Sequence, residues 1–526
     1  MSLSDLARAM RAGSLLGATL AATLGLVSTA GADNAPWPSA GQNLSNTRSS
    51  AQTALGVGNA ADLKVKWTYT THGDVSATAA IVGGAAYFPD WGGYIHKVDV
   101  KTGARIWERK LSDYPGEPAN ARSRTGPAVV DGVVYIGDQN GGNLLALDAR
   151  TGDLLWRTKI NPHAFAIITQ SPIVHGGVVY VGAASLEEAV AANPAYTCCT
   201  FRGSFSAVNA RTGQVLWTTF TVPDNGGVAG GYSGNAVWGS TPAIDPRTGT
   251  VYIATGNNYD VPASVKDCQV AGGTPAECLA ADNYVDAIMA LDMRTGAVKW
   301  STGVQGFDAW NVACIPGFDP HNCPNNPSPE GPDFDFGSGP NLFTVKGADG
   351  KQRQLVGAGQ KSGTYWALDA ATGQIEWSIS PAPGSTLGGI QWGSATDGKR
   401  IYIAEANFFG IPYQTPSGQT LTSGSFAALD PATGEILWQV GDPRGGNDLG
   451  PVSVSNGVVF APSMTGHMYA LDAATGAQLW EHEGDGAAIA GASLDSAGTV
   501  LWGNGYANLG IPGWDPSTTF YAFSVK

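Results

Sequence analysis

One motif recurs seven times along this chain: an apolar residue, a spacer, Asp or Asn, two spacers, Thr-Gly, three spacers and Trp. The copies end at Trp107, Trp156, Trp217, Trp300, Trp377, Trp438 and Trp480, and in each the Trp stands four residues after the Gly. Ala470–Trp480, reading ALDAATGAQLW, is the plainest copy. Alternation ahead of the Asp makes a half-buried strand. Asp-x-x-Thr-Gly makes a tight turn with Gly at positive φ, and a second strand ends in the Trp. Such a hairpin cannot bury its own face, so the copies must pack on one another, with an indole docked between neighbouring sheets.

The segments between the motifs are Gly-rich (72 Gly in 526 residues) and few have helical periodicity, which points to an all-β chain. A net charge of −14 argues against nucleic acid and anionic membrane surfaces as partners. Residues 1–32 read as a signal peptide: Arg8 and Arg11, the apolar run Leu15–Leu26, and Ala30-Gly31-Ala32 as cleavage site. A membrane anchor is the rival reading, but the run is short and rich in small residues, and the next residue is Asp33 and not Cys, so neither an anchor nor lipid attachment is expected. The mature chain is expected to be periplasmic or secreted, where disulfides persist.

Leu63–Trp67 resembles a repeat's last strand without its first half, and Phe520–Ser524 resembles that missing half without a Trp strand. Joined, they close one more sheet and leave no free edge. The expectation is therefore an eight-bladed β-propeller, one domain over residues 33–526, closed by its N- and C-terminal strands. The intervals Trp217–Trp300 and Trp300–Trp377 are the longest, so the central blades carry the insertions, which in repeat folds collect on one face.

The residues with chemical potential lie between Arg124 and Lys361. A strand from Tyr180 runs into Glu187-Glu188, which fits either solvated loop acids or a functional carboxylate pair. Cys198-Cys199 can close on each other or bond separately to distant partners. Cys268 with Cys278, and Cys314 with Cys323, are spaced to staple the long insertions, which would leave the adjacent pair to itself; six cysteines permit other connectivities. Trp238 stands outside the repeat position, as core or as a stacking platform. Asn257 follows Gly256 after a strand, as a turn residue or an oxygen ligand to a hard cation. Asp333-Phe-Asp335-Phe-Gly337 leads into a strand, and Gln360-Lys361-Ser362-Gly363 forms a turn.

With the Trp repeat, Trp238, Gly256-Asn257, the Cys pair and Lys361 make a chain that resembles the pyrroloquinoline quinone (PQQ)-dependent alcohol dehydrogenases over nearly all its mature length. Cys198-Cys199-Thr-Phe-Arg-Gly and Gly331-Pro-Asp-Phe-Asp-Phe-Gly resemble the polyvinyl-alcohol-dehydrogenase-like branch. The resemblance implies an eight-bladed propeller, a quinone stacked on Trp238, and Ca²⁺ held through oxygen by Glu187, Asn257 and Asp335. It implies that Arg124 pairs a quinone carboxylate, that Thr169 and Ser185 hydrogen-bond the cofactor, that Cys198 and Cys199 adjoin it, and that Lys361 polarises its oxygens. Asp335 would be the general base taking the alcohol proton as hydride passes to the quinone.

The family's Trp-Asp at the base position could align instead with Trp310-Asn311, where the acid is missing; Asp308 and Asp333 stand as alternative bases. Gly337 occupies the place of the extra Asp of lanthanide-using relatives, which favours Ca²⁺. The chain has no Cys-x-x-Cys-His for covalent haem, so electrons must leave to a separate acceptor, with a soluble c-type cytochrome as the expected partner. No Gly-x-Gly-x-x-Gly opens a helix, which disfavours a nicotinamide enzyme. The rival readings are a non-catalytic propeller scaffold of the cell envelope, built from the same repeat, and a quinone enzyme for another substrate such as a sugar or an amine.

Overall fold

Eight sheets, each built on four antiparallel strands, follow one another along the chain, and those of blades three and seven gain a short fifth strand, Ala166–Ile167 and Ser49–Ser50. The computed structural model describes residues 37–324, 331–347 and 349–526. The expected signal peptide and its cleavage site lie outside these residues. Blade one is typical: Ala80–Val82, Ala85–Pro89, Tyr94–Asp99 and Arg105–Lys110 pair in chain order from the inner strand outward. Blade eight is the composite anticipated above. Lys64–Thr70 is its outer strand and pairs with Thr519–Ser524.

The repeat's Trp does what its fixed spacing requires. In all eight blades the register slips by one residue just before the Trp, a bulge that re-aims the indole towards the next blade. There its N–H donates to a main-chain carbonyl: Trp67 to Val100 at 3.0 Å, Trp107 to Ala149 at 3.1 Å, and Trp480 to Leu63 at 2.9 Å to complete the ring. The ring itself lies on the repeat glycine of the next blade. At Gly103, where φ is 72°, a Cβ would stand 2.7 Å from the Trp67 indole. That glycine is therefore needed twice, for the turn and for the aromatic contact.

Tight turns, one of them the Asp-x-x-Thr-Gly turn, join first to second and third to fourth strands at one end of the blades. The insertions all fall in the other two kinds of connection and so collect at the opposite end. Residues 186–203 carry the one-turn helix Glu187–Val190 and the Cys198–Cys199 disulfide. Residues 255–286 carry the helices Ala263–Val270 and Pro275–Cys278, joined by Cys268–Cys278. Residues 304–340 carry Cys314–Cys323. The pairings match the expectation from spacing, and no described cysteine is free.

The polar stretch after Trp37 has a role its sequence does not announce. Carbonyls of Trp37, Pro38, Leu44, Ser45, Thr47 and Arg48 accept N–H bonds from Ile81, Val129, Ile244, Leu342, Thr396 and Val454, residues of the inner strands of six blades. This strap circles the middle of the propeller and ends in Ser49–Ser50, parallel to Ser453–Ser455 of blade seven. The Arg48 side chain is buried and donates to the carbonyls of Val452 (2.8 Å) and Ala40 (2.7 Å) and to the Thr78 hydroxyl (3.1 Å).

Candidate active site

At the insertion-bearing end lies a cavity of about 240 Å³. Its lining residues come from the connections that follow the second and fourth strands and from the end of the strand Val178–Ser185, among them Arg124, Thr169, Ser185, Glu188, Trp238, Asp335 and Lys361. The topology thus brings residues more than 200 positions apart to one site.

Trp238 sits between Trp392, edge-on at 5.1 Å, and the Lys361 ammonium, 5.4 Å from its ring centroid. Its indole N–H is buried without a partner. Thr169 donates to the Trp238 carbonyl at 3.2 Å, and Ser185 to the Phe165 carbonyl at 3.1 Å, which fixes both hydroxyls at the wall. Arg124 stacks over Trp392 at 4.3 Å and reaches the Tyr506 hydroxyl at 3.4 Å. Among the described residues it has no carboxylate partner, so its charge is available to an anionic ligand.

Lys361 turns out of the strand Gln352–Gly359 through a turn closed by Gly363. Its ammonium lies 2.9 Å from Asp333 and 3.3 Å from Asp335. Burial alone would lower its pKa; Asp333, Asp335 and Glu188 outweigh that and raise it above the usual lysine value. Asp335 is held at both ends. Its Oδ1 accepts the Asn257 N–H at 2.6 Å, and its own carbonyl accepts the Lys361 N–H at 2.9 Å. It stands in an irregular segment well ahead of the strand Asn341–Lys346 rather than at the strand's entrance, because Gly337, Gly339 and Pro340 intervene. The Asn257 amide nitrogen donates to the carbonyls of Asn258 and Trp310, which turns its side-chain oxygen the other way.

The two alternative acids have other partners. Asp308 accepts N–H bonds from Asp333 (3.0 Å) and Phe334 (2.7 Å) and so braces the segment that carries Asp335; burial pushes its pKa up to about 6. Asp333 is buried against Lys361 and is not part of the cavity lining. Asn311 caps the turn at Val312–Cys314 and donates to carbonyls of Tyr259 and Asn322, a packing role.

Glu187 is not brought to the cavity. Its buried carboxylate accepts the Tyr196 hydroxyl at 2.7 Å and the N–H groups of Thr200 (2.8 Å) and Phe201 (2.7 Å), with His163 at 3.5 Å. Burial would raise its pKa, but bonds from His163, Tyr196, Phe201 and Thr200 bring it below the usual value. The side chain that reaches the cavity is Glu188, whose pKa is raised to about 8 by burial and then by repulsion from Asp335. A single helical turn offsets neighbouring side chains by about 100°, so only one of the two acids can face the site. The Cys198–Cys199 disulfide is also set back. Cys199 packs with Ala184, Phe201, Ala236 and Tyr259, a cluster on which Trp238 also rests, and neither cysteine is among the cavity's lining residues. Residues that the sequence did not single out complete the wall: Gln139, Tyr259, Val312 and the exposed leucines Leu186 and Leu509. Insertions have no periodicity from which such positions could be read.

The donor set is oxygen-rich. Glu188 and Asp335 offer hard ligands, with Asn257 joined to Asp335 through its backbone N–H, and oxygen donors of this kind suit a divalent cation. The flat Trp238 and the unpaired Arg124 suit a planar anionic ligand.

The family described as outer membrane protein assembly factor BamB matches residues 27–197, 120–302, 344–449 and 422–492. A polyvinylalcohol dehydrogenase of Pseudomonas sp. is 30% identical over 91% of this chain and 73% of its own length. One of Sphingopyxis sp. (strain 113P3) is 31% identical over 89% of this chain and 71% of its own. The crystal structure of quinohemoprotein alcohol dehydrogenase from Comamonas testosteroni superposes with a TM-score of 0.69 at 21% identity, covering 93% of this chain and 80% of that one.

Proposed function

The chain belongs to the PQQ-dependent alcohol dehydrogenases, in the polyvinyl-alcohol-dehydrogenase-like branch of the Trp-repeat propellers, and from that premise we propose a periplasmic enzyme that oxidises a secondary or polymeric alcohol to the carbonyl. The observation that carries the reading is the juxtaposition of Trp238, Lys361 and Asp335 around one cavity. Trp238 would be the floor for PQQ, Arg124 would pair one of its carboxylates, and Thr169 and Ser185 would fix its edge. Glu188, Asp335 and Asn257 would hold Ca²⁺, with Glu188 in the place first given to Glu187. When bound, the quinone supplies the hydride acceptor and the cation makes it more electrophilic.

The protein's own groups then do three things. Asp335, positioned by the Asn257 N–H, takes the proton of the alcohol hydroxyl. Lys361, kept cationic by its carboxylate neighbours, stabilises negative charge where it develops. Leu186, Val312 and Leu509 at the rim exclude water and favour a substrate with an apolar backbone. Electrons would leave to a soluble c-type cytochrome.

The test is reconstitution of the purified chain with PQQ and Ca²⁺, following dye reduction by short secondary alcohols and by polyvinyl alcohol. Activity that needs both additives and falls about 10²–10⁴-fold in Asp335→Asn, with PQQ still bound, is the expected result. Undiminished activity in that variant removes Asp335 as base. A chain that binds no quinone is a scaffold and not an enzyme.

A further inference from the structure

Two loops at the cavity end share a sequence that the Trp repeat does not explain. Ala406-Asn-Phe-Phe-Gly-Ile-Pro412 lies in the connection after the second strand of blade six, Ile401–Glu405. Ala507-Asn-Leu-Gly-Ile-Pro512 lies in the same connection of blade eight, after Val500–Trp502. In both, a turn closes on the glycine. The Gly410 N–H donates to the Asn407 carbonyl and the Gly510 N–H to the Ala507 carbonyl, each at 3.0 Å, with φ of 63° and 65°. The residue before each glycine is held out in solvent: Phe409 is 62% exposed and Leu509 55%, and Ile411 is 44% exposed beside the first. Scattered apolar side chains on a surface are ordinary, but here one local sequence presents such a side chain twice, on the blades flanking blade seven.

The two loops rest on one apolar cluster. Phe408 packs edge-on against Trp514 at 5.8 Å, and Ala406, Tyr506 and Trp514 belong to a cluster that Phe408, Ile511 and Trp392 also touch. Trp392 stands against Trp238, and Leu509 itself lines the cavity. The cluster therefore runs from beneath the exposed Phe409 to the cavity wall.

Charge decides what this surface takes. Residues 377–396, 406–424 and 502–514 contain no Asp, Glu, Lys, Arg or His, in a chain whose net charge is −14. The exposed polar groups of the blade-six loop, Gln414, Gln419, Thr420 and Thr422, are all neutral. A redox protein is steered and held in register by complementary charge, which these loops do not offer. Apolar prongs set among neutral amides and hydroxyls fit an uncharged chain with an apolar backbone and hydroxyl side groups.

We propose that Phe409 and Ile411, with Leu509 as the inner element, form an extended subsite for a polymeric polyol and hold units of that chain remote from the one being oxidised. The inference rests on the alcohol-oxidising reading of the cavity and narrows its substrate to long, neutral alcohols. Binding gathered on remote units lowers KM for the polymer and leaves the chemical step as it is.

The test compares wild type, Phe409→Ser and Phe409→Ser/Ile411→Ser, all loaded with PQQ and Ca²⁺. Neither residue lines the cavity, so kcat and KM for propan-2-ol are expected to stay the same. KM for polyvinyl alcohol is expected to rise about tenfold in the single variant and further in the double one, with kcat unchanged. An unchanged polymer KM overturns the subsite and leaves the catalytic reading intact. Slower reduction of a c-type cytochrome by the variants with propan-2-ol as substrate, at unchanged polymer KM, gives the surface to the electron acceptor and overturns the proposal as well. Calorimetric titration of the full chain with polyvinyl alcohol needs no turnover. About tenfold weaker binding by Phe409→Ser is expected there, and equal binding overturns the subsite even where the chain oxidises nothing and the catalytic reading has failed.

Discussion

Glu187 and Glu188 are consecutive residues whose carboxylates lie in different environments: Glu187 is spent on the Tyr196 hydroxyl and two backbone N–H groups, and Glu188 lines the cavity. The two isosteric amides therefore have opposite expected outcomes. Glu187→Gln sets an NH₂ against main-chain donors in a buried site and should cost about 3 kcal/mol, read as a lowered urea midpoint. Glu188→Gln replaces an acid whose pKa is raised to about 8 by burial and then by repulsion from Asp335, so stability should hold while Ca²⁺-dependent PQQ loading is lost. Loss of PQQ loading in Glu187→Gln alone would return the ligand role to Glu187.

That division also marks how far the sequence could be read. The propeller was legible because a single spacing, Gly to Trp, encodes a turn, a bulge and an inter-blade contact at once, and seven copies repeat it. The composite blade followed from two half-motifs. The site was legible only where residue types matched a family pattern, since the insertions that carry it have no period. Adjacent acids on one helical turn are not separable without knowing which way the turn faces. The strap at residues 37–50 was invisible for another reason: its bonds run through main-chain carbonyls, which any sequence supplies.

The repeat glycine can be separated into its two duties. Gly103 and Gly83 both have positive φ, but a Cβ on Gly83 meets open space, and one on Gly103 meets the Trp67 indole at 2.7 Å. Gly83→Ala should cost only the backbone strain of about 1–2 kcal/mol. Gly103→Ala adds displacement of a docked ring, about 1–3 kcal/mol more. Chemical denaturation of the two variants side by side measures the difference; equal losses would mean the indole yields freely.

Arg48 anchors the strap from within. Its guanidinium serves two carbonyls and a hydroxyl, and burial lowers its pKa to about 9, so it stays charged at neutral pH. Arg48→Met leaves those acceptors buried and unpaired, an expected loss of roughly 3 kcal/mol or more. Arg48→Lys should not restore it, because one ammonium cannot span the same fork. Protease cleavage between residues 37 and 50, absent in wild type and present in Arg48→Met, would show release of the strap; resistance in the variant would show that the six carbonyl bonds suffice.

Glu117 gives the fold a pH dependence of defined sign. Its side chain is buried, with Oε1 accepting from Asn143 at 3.0 Å, Arg157 at 3.7 Å and Oε2 unpartnered. Burial, then repulsion from Asp138, raises its pKa to about 8, whereas an unfolded glutamate titrates near 4.3. Between those values the folded chain holds a proton that the unfolded chain has released, so stability falls as pH rises through that window and is level on either side. Other acids add their own slopes, so the informative quantity is the difference between wild type and Glu117→Gln, which cannot ionise. Melting temperatures taken from pH 5 to pH 8 should decline more steeply in wild type, with the variant gaining on it throughout. Parallel curves would place the Glu117 proton on the same footing in both states and remove the residue from the pH response.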